Sequence, residues 1–188
     1  MKDEEIQAIQ ELLSTPKKVV IIPHRSPDGD AMGSTLGLYH FLQKLNHEAV
    51  VIAPNEFPDF LAWLPASETV LIYEKEKEKT AQIILDADLV FTLDFNALHR
   101  TGEMELILKK VTAPFIMIDH HQKPDDYAKY MFSDSKYGST CEMLFHFIVN
   151  LGYKKSIDKT IATCIYTGIV TDSGSFRFPS TSSTTHRV

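Results

Sequence analysis

The chain has 188 residues, 44% of them hydrophobic and 23% charged, with a formal net charge of -6. That suits one generous domain with a sizeable core, and the acidic balance argues against a broad electrostatic surface for nucleic acid. No apolar run approaches the roughly 18 residues of a membrane span, so no membrane association is expected and the expected compartment is the cytoplasm.

In chain order, the opening MKDEEIQAIQELL places Ile6, Ile9, Leu12 and Leu13 on one helix face and reads as neither a secretory signal nor a transit peptide. Apolar runs at 19–22, 49–53, 70–73, 89–93 and 115–118 read as strands, and the segments 31–45, 80–87 and 103–111 between them read as helices. The EKEKEK run at 74–79 is a solvated helix start. Two further helices are expected at 139–151 and 156–171, the second followed by a glycine-containing turn and a short strand at 176–178. Cys141 and Cys164 lie apart in apolar helical patterns and read as buried reduced thiols. Near the end, Ser182 or Ser183 reads as an N-cap, with Val188 in the first turn of a helix too short to form. Strands without polar alternation, joined by helices, predict an α/β fold whose mostly parallel sheet is covered by helices on both faces.

The chemistry lies where the strands end. Residues 24–34, HRSPDGDAMGS, leave the first strand with His24, Asp28 and Asp30 on a tight turn held by Pro27 and Gly29. Asp94 follows the 89–93 run, Asp119, His120 and His121 follow or end the 115–118 run, and Asp172 ends the last long helix. Any one of these alone would read as a helix cap or a loop acid. Parallel strands all finish on one edge, however, so the groups are expected to converge, and stability gains nothing from desolvating Asp-His-His together.

The HRSPDGDAMGS segment, the aspartate of FTLDFN, the IDHH triplet and the GIVTDSGSFRF segment together resemble the four motifs of the DHH phosphoesterase superfamily. The first motif is similar to that of the nanoRNase and pAp phosphatase branch, and cyclic dinucleotide phosphodiesterases carry a close variant. The resemblance implies two divalent ions, Mn²⁺ with Mg²⁺ or Co²⁺ as substitutes. One would be held by His24, Asp28 and Asp94, the other by Asp30, Asp94, His120 and Asp172, with Asp94 bridging. Four carboxylates would offset the four charges of such a pair, and a ligand set without thiolate speaks against structural zinc. The implied reaction is in-line attack on phosphorus by a hydroxide held between the ions. Asp119 is then expected to orient a ligand histidine, and His121 to contact the scissile phosphate or protonate the leaving group. Arg100 matches an arginine that often follows the second motif and is a catalytic candidate. Arg177, and the helix start at Ser139 and Thr140, are candidates for holding substrate phosphate.

The expected organisation is a DHH catalytic domain over residues 1–178, with residues 179–188 leading toward a DHHA1 domain whose glycine-rich motif does not occur here. The function implied is hydrolysis of short oligoribonucleotides to 5′-mononucleotides, or removal of the 3′-phosphate of pAp, by a protein that can form a homodimer. A cyclic dinucleotide phosphodiesterase and a non-catalytic metal- or nucleotide-binding module are the alternatives.

Overall fold

The computed structural model describes residues 2–188. Its strands are β1 (Lys18–Ile22), β2 (Glu48–Ala53), β3 (Leu71–Ile72), β4 (Leu89–Leu93), β5 (Phe115–Asp119) and β6 (Tyr130–Ser133). They form one sheet in the order β3-β2-β1-β4-β5-β6, and every pairing is parallel. The helices are α1 (Asp3–Leu12), α2 (Gly29–Lys44), α3 (Lys77–Leu85), α4 (Glu105–Leu108), α5 (Thr140–Asn150) and α6 (Lys159–Asp172). None is long and apolar enough to cross a membrane.

Strand side chains alternate between two cores, as the pleat requires. Val19, Ile21, Phe91, Ile116 and Ile118 pack with residues of α1, α2, α5 and α6, whereas Val20, Ile22, Val90 and Met117 pack with Ile84 of α3 and Leu108 of α4. Both faces are therefore dry, which is why the strands read as unbroken apolar runs. Chain order reverses between β1 and β4, and such a switch point opens a crevice beyond the carboxyl ends of the two strands.

One helix pair is unusually close. A Cβ on Gly33 of α2 would lie 2.5 Å from the Cys164 carbonyl oxygen of α6, and one on Gly168 of α6 would lie 2.5 Å from Asp30 Oδ1. Two backbones thus approach until only hydrogen fits between them, and that approach carries Asp30 into the interior.

Four local expectations are corrected. Residues 176–178 form no strand: Gly174, Ser175 and Phe176 take φ of 55°, 60° and 64°, a left-handed turn incompatible with extended backbone. Residues 103–111 are not one helix: Gly102, at φ 63° and ψ -133°, kinks a 3₁₀ stretch, Leu98–Met104, and the α-helix that follows is only the single turn of α4. The strand expected at 70–73 shortens to Leu71–Ile72, the last pairing on its edge. On the other edge β6 was not anticipated; only Phe132 of its residues is buried, so it lacks the apolar run that marks the central strands. Near the end, Ser182 Oγ accepts from the amides of Thr184 and Thr185, both at 3.1 Å, and only a 3₁₀ turn, Thr185–Arg187, follows.

Candidate metal centre

The first half of the centre is built by the turn that leaves β1. The Arg25 amide donates to the Arg100 carbonyl at 2.8 Å and the Ser26 amide to Asn55 Oδ1 at 2.6 Å, which pins the turn to the loops after β4 and β2. His24 Nδ1 sits 2.8 Å from the Arg25 carbonyl. A carbonyl only accepts, so Nδ1 carries a hydrogen and Nε2 is the nitrogen aimed at the acids, 3.5 Å from Asp94 Oδ2 and 3.8 Å from Asp28 Oδ2. Asp28 is also the N-cap of α2: its Oδ1 accepts from the amides of Asp30 at 3.0 Å and Ala31 at 3.1 Å, leaving Oδ2 toward His24. Its side chain is 58% exposed, whereas that of His24 is buried, so Asp28 is the solvent-facing member of this half.

The second half is anchored in the interior by Asp30, while His120 and Asp172 are partly exposed. Asp30, fully buried in the first turn of α2, points at the amino end of α5, where Thr140 N donates to its Oδ2 at 2.6 Å and Cys141 N to its Oδ1 at 2.8 Å. Its carboxylate takes the place an external anion would occupy on that helix end. Ser139 caps α5 through the Glu142 amide at 3.1 Å. Ser139 and Thr140 are buried, so the expectation that this end receives substrate phosphate is corrected: Asp30 fills it. His120 Nε2 lies 3.3 Å from Asp172 Oδ2, 3.5 Å from Asp94 Oδ1 and 3.9 Å from Asp30 Oδ2.

Asp94 joins the halves. It stands just past β4 at φ 66°, a left-handed conformation that Asp tolerates better than most residues, and its amide donates to the Ile118 carbonyl at 3.1 Å. One oxygen faces His24 and the other faces His120. Thr140 Oγ1 donates to the His120-facing oxygen at 2.9 Å.

Asp119 does not orient His120. Its Oδ1 lies 2.7 Å from His121 Nδ1 and its Oδ2 accepts the His121 amide at 3.1 Å, so the buried acid sets the ring of His121 and leaves the opposite nitrogen free of it. Two arginines are not brought in. Arg177 Nε donates to the Gly174 carbonyl at 2.7 Å and closes its own turn, while exposed Arg100 makes no ion pair among the described residues and reaches the centre only through its carbonyl.

Among the described residues, the ion-pair partners of Asp28, Asp30, Asp94, Asp119 and Asp172 are histidines, with no lysine or arginine. Burial, then repulsion from Asp94 and Asp172, holds the Asp30 carboxyl well above the usual range. Burial and then Asp94 raise Asp172 to about 6. For His24 burial opposes charge, but Asp28 and Asp94 outweigh it and raise the ring to about 10; for His120 burial is outweighed by Asp94, Asp30 and Asp172, to about 9. The same histidines outweigh burial at Asp94 and push it well below an ordinary carboxylate. Protons on imidazole thus do the neutralising that a bound cation would do.

The donor set fits divalent ions. Ligand atoms of His24, Asp28 and Asp94, of Asp30, His120 and Asp172, and of Asp94, His120 and His121 each lie within 4.8 Å of one another. Oxygen and imidazole suit Mn²⁺ or Mg²⁺. Cys141 is adjacent but remains a thiol, since burial and then Asp30 raise it well above its usual range, and its sulfur donates to the Asp30 carbonyl at 3.6 Å. Sequence reasoning missed Thr140 as a link between Asp30 and Asp94, and it missed Gly33 and Gly168. The Gly-Ser-Thr before an apolar helix signalled a cap but not which anion it would meet.

A doubly wound parallel α/β domain with an acid and imidazole centre at its switch point is the class that this fold and site define. Residues 18–169 match the family described as the DHH family, N-terminal domain, and the chain belongs to that family. The "Bifunctional oligoribonuclease and PAP phosphatase NrnA" of Thermus thermophilus is 33% identical over 186 residues, covering 98% of this chain and 52% of that protein. The chain spans about half the length of the curated NrnA relatives it matches. A crystal structure of an exopolyphosphatase-related protein from Bacteroides fragilis superposes with a TM-score of 0.96 at 41% identity, over 99% of this chain and 55% of that one. RecJ of Thermus thermophilus, solved in complex with Mn²⁺, has a TM-score of 0.53 at 15% identity over 90% of this chain and 24% of its own, a likeness of fold.

Proposed function

We propose that the chain is the catalytic DHH domain of a metal-dependent phosphoesterase, acting on short oligoribonucleotides to give 5′-mononucleotides, on the 3′-phosphate of pAp, or on both. The observation that carries this reading is Asp94, a buried carboxylate turning one oxygen to His24 and the other to His120, with no lysine or arginine among the described residues paired to it. His24, Asp28 and Asp94 would hold one ion, and Asp30, Asp94, His120 and Asp172 the other. When bound, two such ions supply an activated water and neutralise charge on the phosphate.

The chain's own residues do the rest. Asp28 and Asp30 fix the turn and α2, the Arg25 carbonyl fixes the tautomer of His24, and Asp119 holds His121. With Nδ1 committed to Asp119, the other His121 nitrogen is placed to hydrogen-bond a phosphate oxygen or pass a proton to the departing alkoxide. Residues 1–178 would form the catalytic domain, with 179–188 leading toward a substrate-capturing domain of the DHHA1 kind.

The NrnA relatives support the oligoribonucleotide and pAp reading. The cyclic-di-AMP phosphodiesterase GdpP of Bacillus subtilis, 24% identical over 90% of this chain and 27% of its own length, keeps cyclic dinucleotides as the second reading. Incubation with Mn²⁺ and, separately, a diribonucleotide, pAp, cyclic di-AMP and pyrophosphate, beside Asp94→Ala, tests it. Mononucleotide from the dinucleotide or phosphate from pAp, absent in the variant, is the expected result; preferential turnover of cyclic di-AMP would favour the second reading. Failure of the wild-type chain to bind Mn²⁺ would overturn both.

A further inference from the structure

Asp94 and Asp30 belong to opposite parts of the centre, one after β4 and one at the start of α2, yet a single residue touches both. Thr140 is fully buried; its amide donates to Asp30 Oδ2 at 2.6 Å and its hydroxyl to Asp94 Oδ1 at 2.9 Å. The hydroxyl has one hydrogen, and it is spent on the carboxylate. No part of Thr140 is exposed to receive substrate, so its contribution passes through the two acids.

The torsion that turns a carboxylate about its own axis is broad and poorly defined in aspartate. Asp94 would therefore not keep one oxygen toward His24 and the other toward His120 unless something held it. The backbone fixes where Asp94 starts, through φ 66° and the amide bond to Ile118, but not the rotation of its carboxylate. Among the described residues, the hydrogen-bond and ion-pair partners of its oxygens are His24 and His120, which a cation would engage, His121, which Asp119 holds and which stays 3.9 Å away, and Thr140. Of these, Thr140 makes the short hydrogen bond from outside the ligand set, at 2.9 Å. It is itself immobilised on the first turn of α5 behind the Ser139 cap, whose hydroxyl accepts the Glu142 amide at 3.1 Å.

We propose that Thr140 is a positioning residue of the dinuclear centre: its hydroxyl locks the rotation of the Asp94 carboxylate while its amide anchors Asp30, so that both acids present oxygens to the same pair of ions. The inference rests on the metal-centre reading above and adds a residue to it. Partners one layer behind metal ligands typically change affinity by about 10- to 100-fold when removed.

Thr140→Val keeps the shape and the amide but removes the hydroxyl, and Thr140→Ser keeps the hydroxyl. Mn²⁺ binding to the full chain is measured by calorimetry, and pairing of the ions by the exchange-coupled signal in electron paramagnetic resonance. The expected result is two Mn²⁺ in wild type with a coupled signal. In Thr140→Val the weaker binding event should lose at least about 10-fold in affinity and the coupled signal should diminish. Thr140→Ser should fall within about 3-fold of wild type. Should Thr140→Val unfold, Thr140→Ala replaces it, with circular dichroism confirming the fold before titration. A hydroxyl-less variant with wild-type affinity and coupled signal would overturn the role of Thr140 while leaving the centre standing. A serine variant as impaired as valine would overturn it too, by showing that packing rather than the hydroxyl matters. Absence of paired Mn²⁺ in wild type would overturn the centre itself and this inference with it.

Discussion

The two halves of the centre differ in what holds them. His24 and Asp28 come from a surface turn, and the Asp28 side chain is 58% exposed, whereas Asp30 is sealed between α2, α5 and α6 and held by two backbone amides. A carboxylate in water needs little help to stay ionised. One in the interior is costly unless donors and opposite charge surround it. Asp28 can therefore be supplied by a short motif, while Asp30 needs three helices to converge.

The contrast can be broken at several points. Asp94 belongs to both halves, so Asp94→Asn should cost most: loss of the paired Mn²⁺ signal and a fall in kcat/KM of at least about 10³-fold, read by titration and by dinucleotide turnover. Loss of only one ion would show that the halves are independent.

Separating them is the next test. Asparagine caps a helix about as well as aspartate, so Asp28→Asn should leave the fold intact and weaken only the exposed ion. Asp30→Asn would instead turn amide hydrogens toward the donors of Thr140 and Cys141, so it should weaken the buried ion and reduce the gain in thermal stability on adding Mn²⁺. In wild type that gain is expected to reach about 2.7 kcal/mol at 100 times the dissociation constant. Equal losses from the two substitutions, in calorimetry and in melting with and without Mn²⁺, would remove the distinction.

A smaller effect sharpens the division between ligands and the group that faces substrate. Because Asp119 bonds His121, Asp119→Asn should lower kcat by about 10²-fold with Mn²⁺ affinity nearly unchanged. Weaker Mn²⁺ binding in this variant would return Asp119 to service of a metal ligand.

The smallest effect concerns pH. In the ion-free protein His24 and His120 are raised from 6.5 to about 10 and about 9, so the stability they contribute is fully present below pH 6.5 and is lost as pH rises through 9 and 10. Mn²⁺ must displace those protons. Apparent affinity should accordingly rise between pH 7 and 9, with proton release measurable by calorimetry in buffers of different ionisation enthalpy. A pH-independent affinity across that window would show that the rings are neutral before the ion arrives.

The α/β class, the parallel sheet and its two-sided cover were readable because buried parallel strands must be apolar throughout, as Val19–Ile22 and Leu89–Leu93 are. The edges were harder to read. β6 exposes parts of three of its four residues and so carries no such run, and the left-handed turn at Gly174 to Phe176 is imposed by bonds to Ser173 that no local pattern announces. At the centre, the residues drawn together included every acid and imidazole expected to bind metal. Arg100 and Arg177 were expected from a motif or a charge alone; Arg177 is tied instead to the Gly174 carbonyl, and exposed Arg100 joins the turn after β1 only through its own carbonyl.

Residue type and spacing by themselves determined which groups meet, because a parallel sheet delivers every strand end to one edge and Asp94, Asp119 and His24 each stand at or just beyond a strand end. They did not determine what each group does there. That Asp119 serves His121, that Asp30 rather than a substrate fills the amino end of α5, and that Thr140 ties Asp30 to Asp94 are decisions of tertiary structure. The first depends on side-chain rotation between residues two apart, the other two on helices approaching at Gly33 and Gly168, distances set between elements far apart in the chain.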